Sequence, residues 1–155
     1  MKNIISLMSL LTIVWFSSAI AQEVNSKKIP EKVSAAFAKN YANANDVEWQ
    51  MEDGNYEAHF SYSNKHLSVQ FNDKGEFVQK ETYLKVSELP KAVQDYLAKH
   101  YAGVKFDEAS EVVNAKDVVQ YQVETKEKAV IFDSKGNFIK EEQEEEDEKG
   151  EDKGY

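Results

Sequence analysis

The chain has 155 residues, no cysteine and a formal net charge of −9. Without thiols it cannot be stapled by disulfides, so a packed apolar core has to hold it together. All nineteen basic residues are lysine; the arginine forks that usually read bases and grip phosphates are missing, which argues against a nucleic-acid partner.

The chain opens with Lys2 and an apolar run over residues 4–16, followed by Ser17, Ser18, Ala19, Ile20 and Ala21. A positive start, an apolar run too short to span a bilayer and an A-x-A pattern together predict a removable signal peptide over 1–21. Cleavage is expected between Ala21 and Gln22. No cysteine follows the site to accept a lipid, so the mature protein is expected to be periplasmic or secreted, with no membrane anchor. Residues 22–28 read as a linker.

Residues 29–84 form the first of two copies of one pattern. Pro30 suits the first turn of a helix, where its missing N–H costs nothing, and Val33, Ala36, Phe37 and Tyr41 follow at helical spacing. Strands come next. Asp53-Gly54 is a two-residue hairpin signal that pairs Met51 with Tyr56, Trp49 with Ala58 and Val47 with Phe60. A second turn within Ser63, Asn64, Lys65 and His66, centred on Asn64-Lys65 or one step tighter, leads into Leu67. It places Phe60 opposite Leu67, Ala58 opposite Val69 and Tyr56 opposite Phe71. Both turns put the same apolar set on one face, a register that a one-residue slip would destroy. Asp73-Lys74-Gly75 then turns the chain into Phe77, with glycine in the left-handed position.

Residues 85–142 repeat the pattern. Leu89-Pro90 and Lys99-His100-Tyr101-Ala102 match Ile29-Pro30 and Lys39-Asn40-Tyr41-Ala42 sixty positions on, and Phe132-Asp133-Ser134-Lys135-Gly136-Asn137-Phe138 matches the segment from Phe71 to Phe77. Val93, Tyr96, Leu97 and Tyr101 make the second helical stripe. Val119, Tyr121 and Val123 alternate with Gln120, Gln122 and Glu124, and a turn at Lys126-Glu127 pairs Val123 with Val130 and Tyr121 with Phe132. The strand around Phe106 to Val113 has no clean alternation, and its inward face is left open. The fold class expected is α+β: two tandem helix-plus-four-strand repeats, their antiparallel sheets covered by helices on one face and open, concave, on the other. Residues 143–155 close the chain as an acidic tail; from 141 onward it holds nine acids against two lysines. Such a run has too little apolar surface to offset its ordering entropy and is expected to be disordered.

The alternation that turns the apolar residues toward the helices turns Glu57, His59, Ser61, His66, Ser68 and Gln70 of the first copy outward, with Glu48 and Gln50. In the second copy it does so for Gln120, Gln122, Glu124 and Ile131. These side chains are either a solvated face or a broad recognition surface made by two sheets side by side. Solvation would make their replacement nearly neutral for stability.

The pattern I/L-P-x-x-V, then Asp46-Val47-Glu48-Trp49 with Asp53-Gly54-Asn55-Tyr56-Glu57-Ala58, then F-x-x-x-G-x-F, resembles the PepSY-like, beta-lactamase-inhibitor-like family of exported bacterial proteins. The resemblance covers residues 29–142 in two copies. The second copy departs from it, with Asp107-Glu108-Ala109 in place of Val-Glu-Trp and Asn114 to Asp117 in place of the tight turn. The resemblance implies tandem helix-plus-four-strand units with a continuous concave face; it supplies no catalytic residues.

Nothing in the sequence assembles a nucleophile with its base: there is no cysteine and no G-x-S-x-G elbow, so no enzyme is expected. No cofactor is expected either. His59 and His66 share the uncovered face across one hairpin, near Glu57, and are a weak candidate for a metal, with fewer ligands than a structural zinc needs. His100, aligned with Asn40, reads as a helix-end residue. The expectation is a monomeric, exported, non-enzymatic binding module that recognises a protein or peptide in the cell envelope on the open sheet face, in the manner of an inhibitor or regulator. The alternative is a cation-associating envelope protein using His59, His66 and the acidic tail.

Overall fold

A computed structural model describes Gln22, Glu23 and residues 25–143. The expected signal peptide, with Ala21, and the expected acidic tail beyond Gln143 lie outside the described residues.

Two short helices occur where the prolines start them: α1 (Glu31–Asn40) and α2 (Lys91–His100). Pro30 and Pro90 stand at the residue just before each helix, and a single 3-10 turn precedes each proline. The helices bury Val33 and Phe37, and Val93 and Leu97, which are one turn apart on one stripe.

The strands are β1 (Gln22–Glu23), β2 (Asn45–Glu52), β3 (Asn55–Tyr62), β4 (Lys65–Phe71), β5 (Phe77–Tyr83), β6 (Glu108–Asn114), β7 (Val119–Glu124), β8 (Lys128–Asp133) and β9 (Phe138–Gln143). They form one antiparallel sheet whose spatial order is the chain order. α1 precedes β2–β5 and α2 precedes β6–β9, and β5 pairs with β6, so the ladder runs unbroken from the first copy into the second.

The register follows the turns. Met51 pairs with Tyr56, Trp49 with Ala58, Phe60 with Leu67 and Ala58 with Val69. The second turn takes the tighter option: Tyr62 pairs with Lys65, and Ser63 and Asn64 both have positive φ. In the second copy Val123 pairs with Val130 and Tyr121 with Phe132.

Three expectations need correction. Val47 does not pair with Phe60: Asp46 takes φ 53°, the register shifts between Asn45 and Glu48, and Val47 is left exposed. An extra residue at such a bulge cannot be read from alternation. The linker over 22–28 contains β1, which pairs Gln22 with Met51 and Glu23 with Gln50, because the outer edge of β2 has backbone donors and acceptors to satisfy. Gln143, expected in the tail, still pairs with Lys128 in β9.

A row across the sheet shows where the core sits. Leu67, Thr82, Glu111, Tyr121 and Phe132 are successive cross-strand partners and share one face. Leu67 belongs to the cluster around α1 and Phe132 to the cluster around α2, so both helices lie on that face. The unresolved strand thereby receives its direction: Ala109, Glu111 and Val113 face the helices.

The turns after β4 and β8 tie sheet to helix. Asn72 Oδ1 accepts from the N–H groups of Lys74 and Glu76, and Asp133 Oδ1 does the same for Lys135 and Asn137. A Cβ on Gly75 would stand 2.5 Å from the Lys32 carbonyl oxygen at the start of α1, and one on Gly136 would stand 2.8 Å from the Ala92 Cβ at the start of α2. With φ near +80° as well, both positions admit only glycine without strain.

Candidate functional site

The opposite face of the sheet is covered by neither helix. Ser68, Glu81, Val112 and Gln120 make one row across it, and Glu57, Gln70, Gln79 and Asn114 another. The same parity places His59 opposite Ser68, Ser61 opposite His66, and Gln122 opposite Ile131. Glu57, His59, Ser61, His66, Ser68, Gln70, Gln120, Gln122 and Glu124 therefore share one face, as expected from alternation.

The expected wetness of that face is wrong at its centre. Glu57 is 3% exposed, Ser68 1%, Gln70 4% and Glu124 9%, although His66 is exposed and Gln120 half-buried. Same-face neighbours bury one another here, which a strand-by-strand reading cannot reveal. Side chains such as Glu57 and Gln70 are then held by partners rather than by water.

Those partners form a network in the first copy. Gln50 Nε2 donates to Glu57 Oε2 at 2.7 Å, and His59 Nε2 lies 3.1 Å from the same oxygen. Gln50 Nε2 also lies 2.8 Å from His59 Nε2, a contact in which the amide donates when that ring nitrogen is unprotonated. Gln70 Nε2 donates to Glu52 Oε2 at 2.6 Å. Burial alone would raise the Glu57 pKa, but hydrogen bonds from His59 and Gln50 and the histidine charge bring it down to about 2. The hydrogen bond to Glu57 raises the His59 pKa against the opposing effect of burial. Glu52 goes the other way: burial first, then the charge of Glu57, pushes it up to about 8. One of this carboxylate pair is an anion and its neighbour holds a proton.

The seam between the copies carries a second group, absent from the sequence reading. Glu81 on β5, Glu108 on β6 and Glu124 on β7 bring one carboxylate oxygen each to within 4.8 Å of one another. Burial pushes the Glu81 pKa up to about 7, and it raises that of Glu108 as well. Ser110 sits among them, 1% exposed, and Gln122 Nε2 donates to Glu124 Oε1 at 2.8 Å. No residue-level signal marked Glu81 or Glu108, because the strand carrying Glu108 lacks alternation and only the β5–β6 pairing brings Glu81 beside it. Tyr83, whose pKa burial raises, stacks on His59 with ring centroids 6.4 Å apart.

His59 and His66 line the same cleft, of about 660 Å³, together with Tyr83, Lys85, Phe106 and Glu108. Their nitrogens are engaged separately: His59 Nε2 with Glu57, and His66 Nδ1 3.4 Å from Ser61 Oγ. Among the described residues, the group with three converging ligand atoms is the glutamate trio and includes neither histidine. His100 is at the last position of α2 and stacks on Tyr96, with centroids 4.3 Å apart.

The family model described as "Putative beta-lactamase-inhibitor-like, PepSY-like" matches residues 14–79 and again residues 54–140. A solved structure of a DUF2874 family protein from Bacteroides ovatus is 25% identical, with a TM-score of 0.63 over 74% of this chain and 86% of that one. A protein from Bacteroides eggerthii whose description is "putative periplasmic" is 23% identical, with a TM-score of 0.65 over 74% and 88%. A BLIP-like protein from Bacteroides fragilis is 22% identical, with a TM-score of 0.61 over 76% and 90%. At these identities the last two speak for the fold alone. No curated protein matches the chain. Among the described residues no helix is long and apolar enough to cross a membrane.

Proposed function

Since the chain belongs to the beta-lactamase-inhibitor-like, PepSY-like family, we propose that it is an exported, non-enzymatic binding module that meets a basic protein or peptide on the open face of its sheet. The observation that carries this reading is a broad polar face, left uncovered by both helices, whose central side chains are already held in place by one another. Burial without a covering layer fits the inner side of a curved sheet spanning both repeats. A face ordered in advance loses little side-chain entropy when a partner docks.

Charge chooses the partner. Glu48, Glu57, Glu108 and Glu124 share this face with Lys140, His59 and His66 by register, beside Glu52 and Glu81, whose carboxyls burial drives toward the protonated form. A surface so weighted favours lysine- or arginine-rich segments and repels acidic ones. Export is supported by the apolar run and A-x-A pattern at the start, and a periplasmic setting by the description of the eggerthii structure. The alternative, cation association through His59, His66 and the tail, has less geometric support because His59 Nε2 is committed to Glu57.

The test uses mature protein as bait in envelope extract, followed by affinity measurement on any basic partner recovered. Glu48→Lys with Gln120→Lys, both on the open face and neither deeply buried, should weaken that partner at least tenfold. Lys39→Glu with Lys99→Glu, on the helices, should leave it unchanged. The reverse outcome would place binding on the helical side and sink the proposal.

A further inference from the structure

We propose that the seam between the two repeats is a binding site for a hard divalent cation, held by Glu81, Glu108 and Glu124 with the Ser110 hydroxyl as a neutral fourth ligand. This goes beyond the docking of a protein on the face and uses none of the residues varied to test it.

The geometry comes first. Glu108 pairs directly with Glu124 across β6–β7, and Glu81 reaches the same spot from β5. Oxygens bound at about 2.3–2.6 Å to one calcium ion can be no more than about 5 Å apart, and three carboxylate oxygens within 4.8 Å of one another are close enough for small side-chain rotations to bring them onto one ion. The three carboxylates come from three neighbouring strands of one continuous ladder, a rigid frame rather than a loop.

Ser110 supplies the independent observation. It projects from the same face as Glu108, two residues along β6, and pairs with Tyr83 on one side and Gln122 on the other. Glu81 and Glu124 are its diagonal neighbours. Its side chain is 1% exposed, yet its Oγ makes no hydrogen bond of ordinary geometry. Its hydroxyl neighbours the Glu81 carboxylate. A buried hydroxyl left without a full partner is costly, and here it is surrounded by the carboxylates of a cation site.

Charge balance points the same way. Of the groups acting on Glu81 and Glu108, the cation is His59, which is itself bound to Glu57. Three carboxylates this close repel one another, and a positive charge between them offsets that repulsion. A divalent ion provides it, and the donor set, all oxygen, suits calcium or magnesium and lacks the imidazole or thiolate preferred by zinc.

The experiment titrates full mature protein with Ca²⁺ alone, and separately with Mg²⁺, by calorimetry at neutral pH in 150 mM NaCl, with melting temperature read in parallel. One saturable site per chain is expected for at least one of the two ions. Glu108→Gln, isosteric and at an exposed position, should weaken it at least tenfold, and Ser110→Ala by a smaller factor, while both variants keep the wild-type circular dichroism in the absence of the ion. Glu81→Gln provides a second test from another strand. No saturable binding by either ion, or binding that Glu108→Gln and Glu81→Gln leave unchanged, overturns the proposal; the latter result would assign the ions to the acidic tail. Loss of the protein partner through Glu48→Lys and Gln120→Lys is a separate outcome, since neither residue is a ligand here.

Discussion

The two repeats have the same frame and different polar faces. Matching them through their strand pairs puts Gln122 where the first copy has Glu57, Glu124 where it has His59, Ser110 for Gln50, Ala129 for Ser68 and Ile131 for Gln70. The first copy therefore combines an acid with a histidine two residues on and closes its charge internally. The second has an amide and an acid at those places, no histidine, and two apolar neighbours. One backbone serves both because the cores on the other side are equivalent: Phe71 and Phe132, Val69 and Val130, Phe37 and Leu97. Duplication keeps what packs and releases what does not.

The largest effect tests that equivalence. Phe71 is 2% exposed and Phe132 fully buried. Phe71→Ala and Phe132→Ala should each cost about 3–5 kcal/mol in denaturant unfolding. A cost for one several times that for the other would show that the repeats do not share the core equally.

The next contrast separates the faces. Glu57→Ala deprives both Gln50 and His59 of their common acceptor in a buried setting and should cost about 1–3 kcal/mol. Gln122→Ala, at the corresponding but half-buried position, removes one hydrogen bond to Glu124 and should cost less. Equal losses would mean that the first copy's network is no better organised than the second's.

The smallest effect is in pH. Glu52 and Glu81 rise from the ordinary 4.5 to about 8 and about 7, so the folded state holds protons that the unfolded chain has lost. Stability from these two groups is fully present below pH about 4.5 and falls as pH rises through 7 and 8. His59, also raised, adds to the loss above its unfolded value near 6.5. Glu57, lowered to about 2, acts oppositely: its contribution is present above about 4.5 and disappears as pH falls through 2. Melting temperature should therefore decline from pH 5 to pH 8, and Glu52→Gln with Glu81→Gln should flatten that decline. A melting temperature that rises over this range would contradict the protonation assigned to both groups.

What could be read in advance was whatever a local rule determines. The Asp53-Gly54 turn and the alternation around Phe60 sufficed to pair β2, β3 and β4, and a sixty-residue repeat carried the reading into the second copy. The bulge at Asp46 escaped because alternation assumes an unbroken ladder. The face was legible, but not its burial: Glu57 and Gln70 are enclosed by same-face neighbours such as Gln50 and Glu52, which a strand-by-strand reading does not bring together. Glu81, Glu108 and Ser110 escaped for the same reason. The strand carrying Glu108 and Ser110 lacks a periodic pattern, with Glu111 turned toward the helices, and their meeting with Glu81 depends on β5 pairing with β6 across the whole second helix.

Strand order that follows chain order has a kinetic meaning. Most neighbouring strands close through a few residues, so hairpins on each side can zip with little loop-closure entropy. β5 and β6, like the short β1 and β2, are exceptions, with the intervening chain from Leu84 to Asp107 to be ordered before β5 and β6 meet. Assembly is then expected to proceed as two rafts, each quickened by its own helix, with the seam joining last. The glutamates that crowd together at that join would set its rate, repelling the rafts when charged and letting them dock once the charge is neutralised.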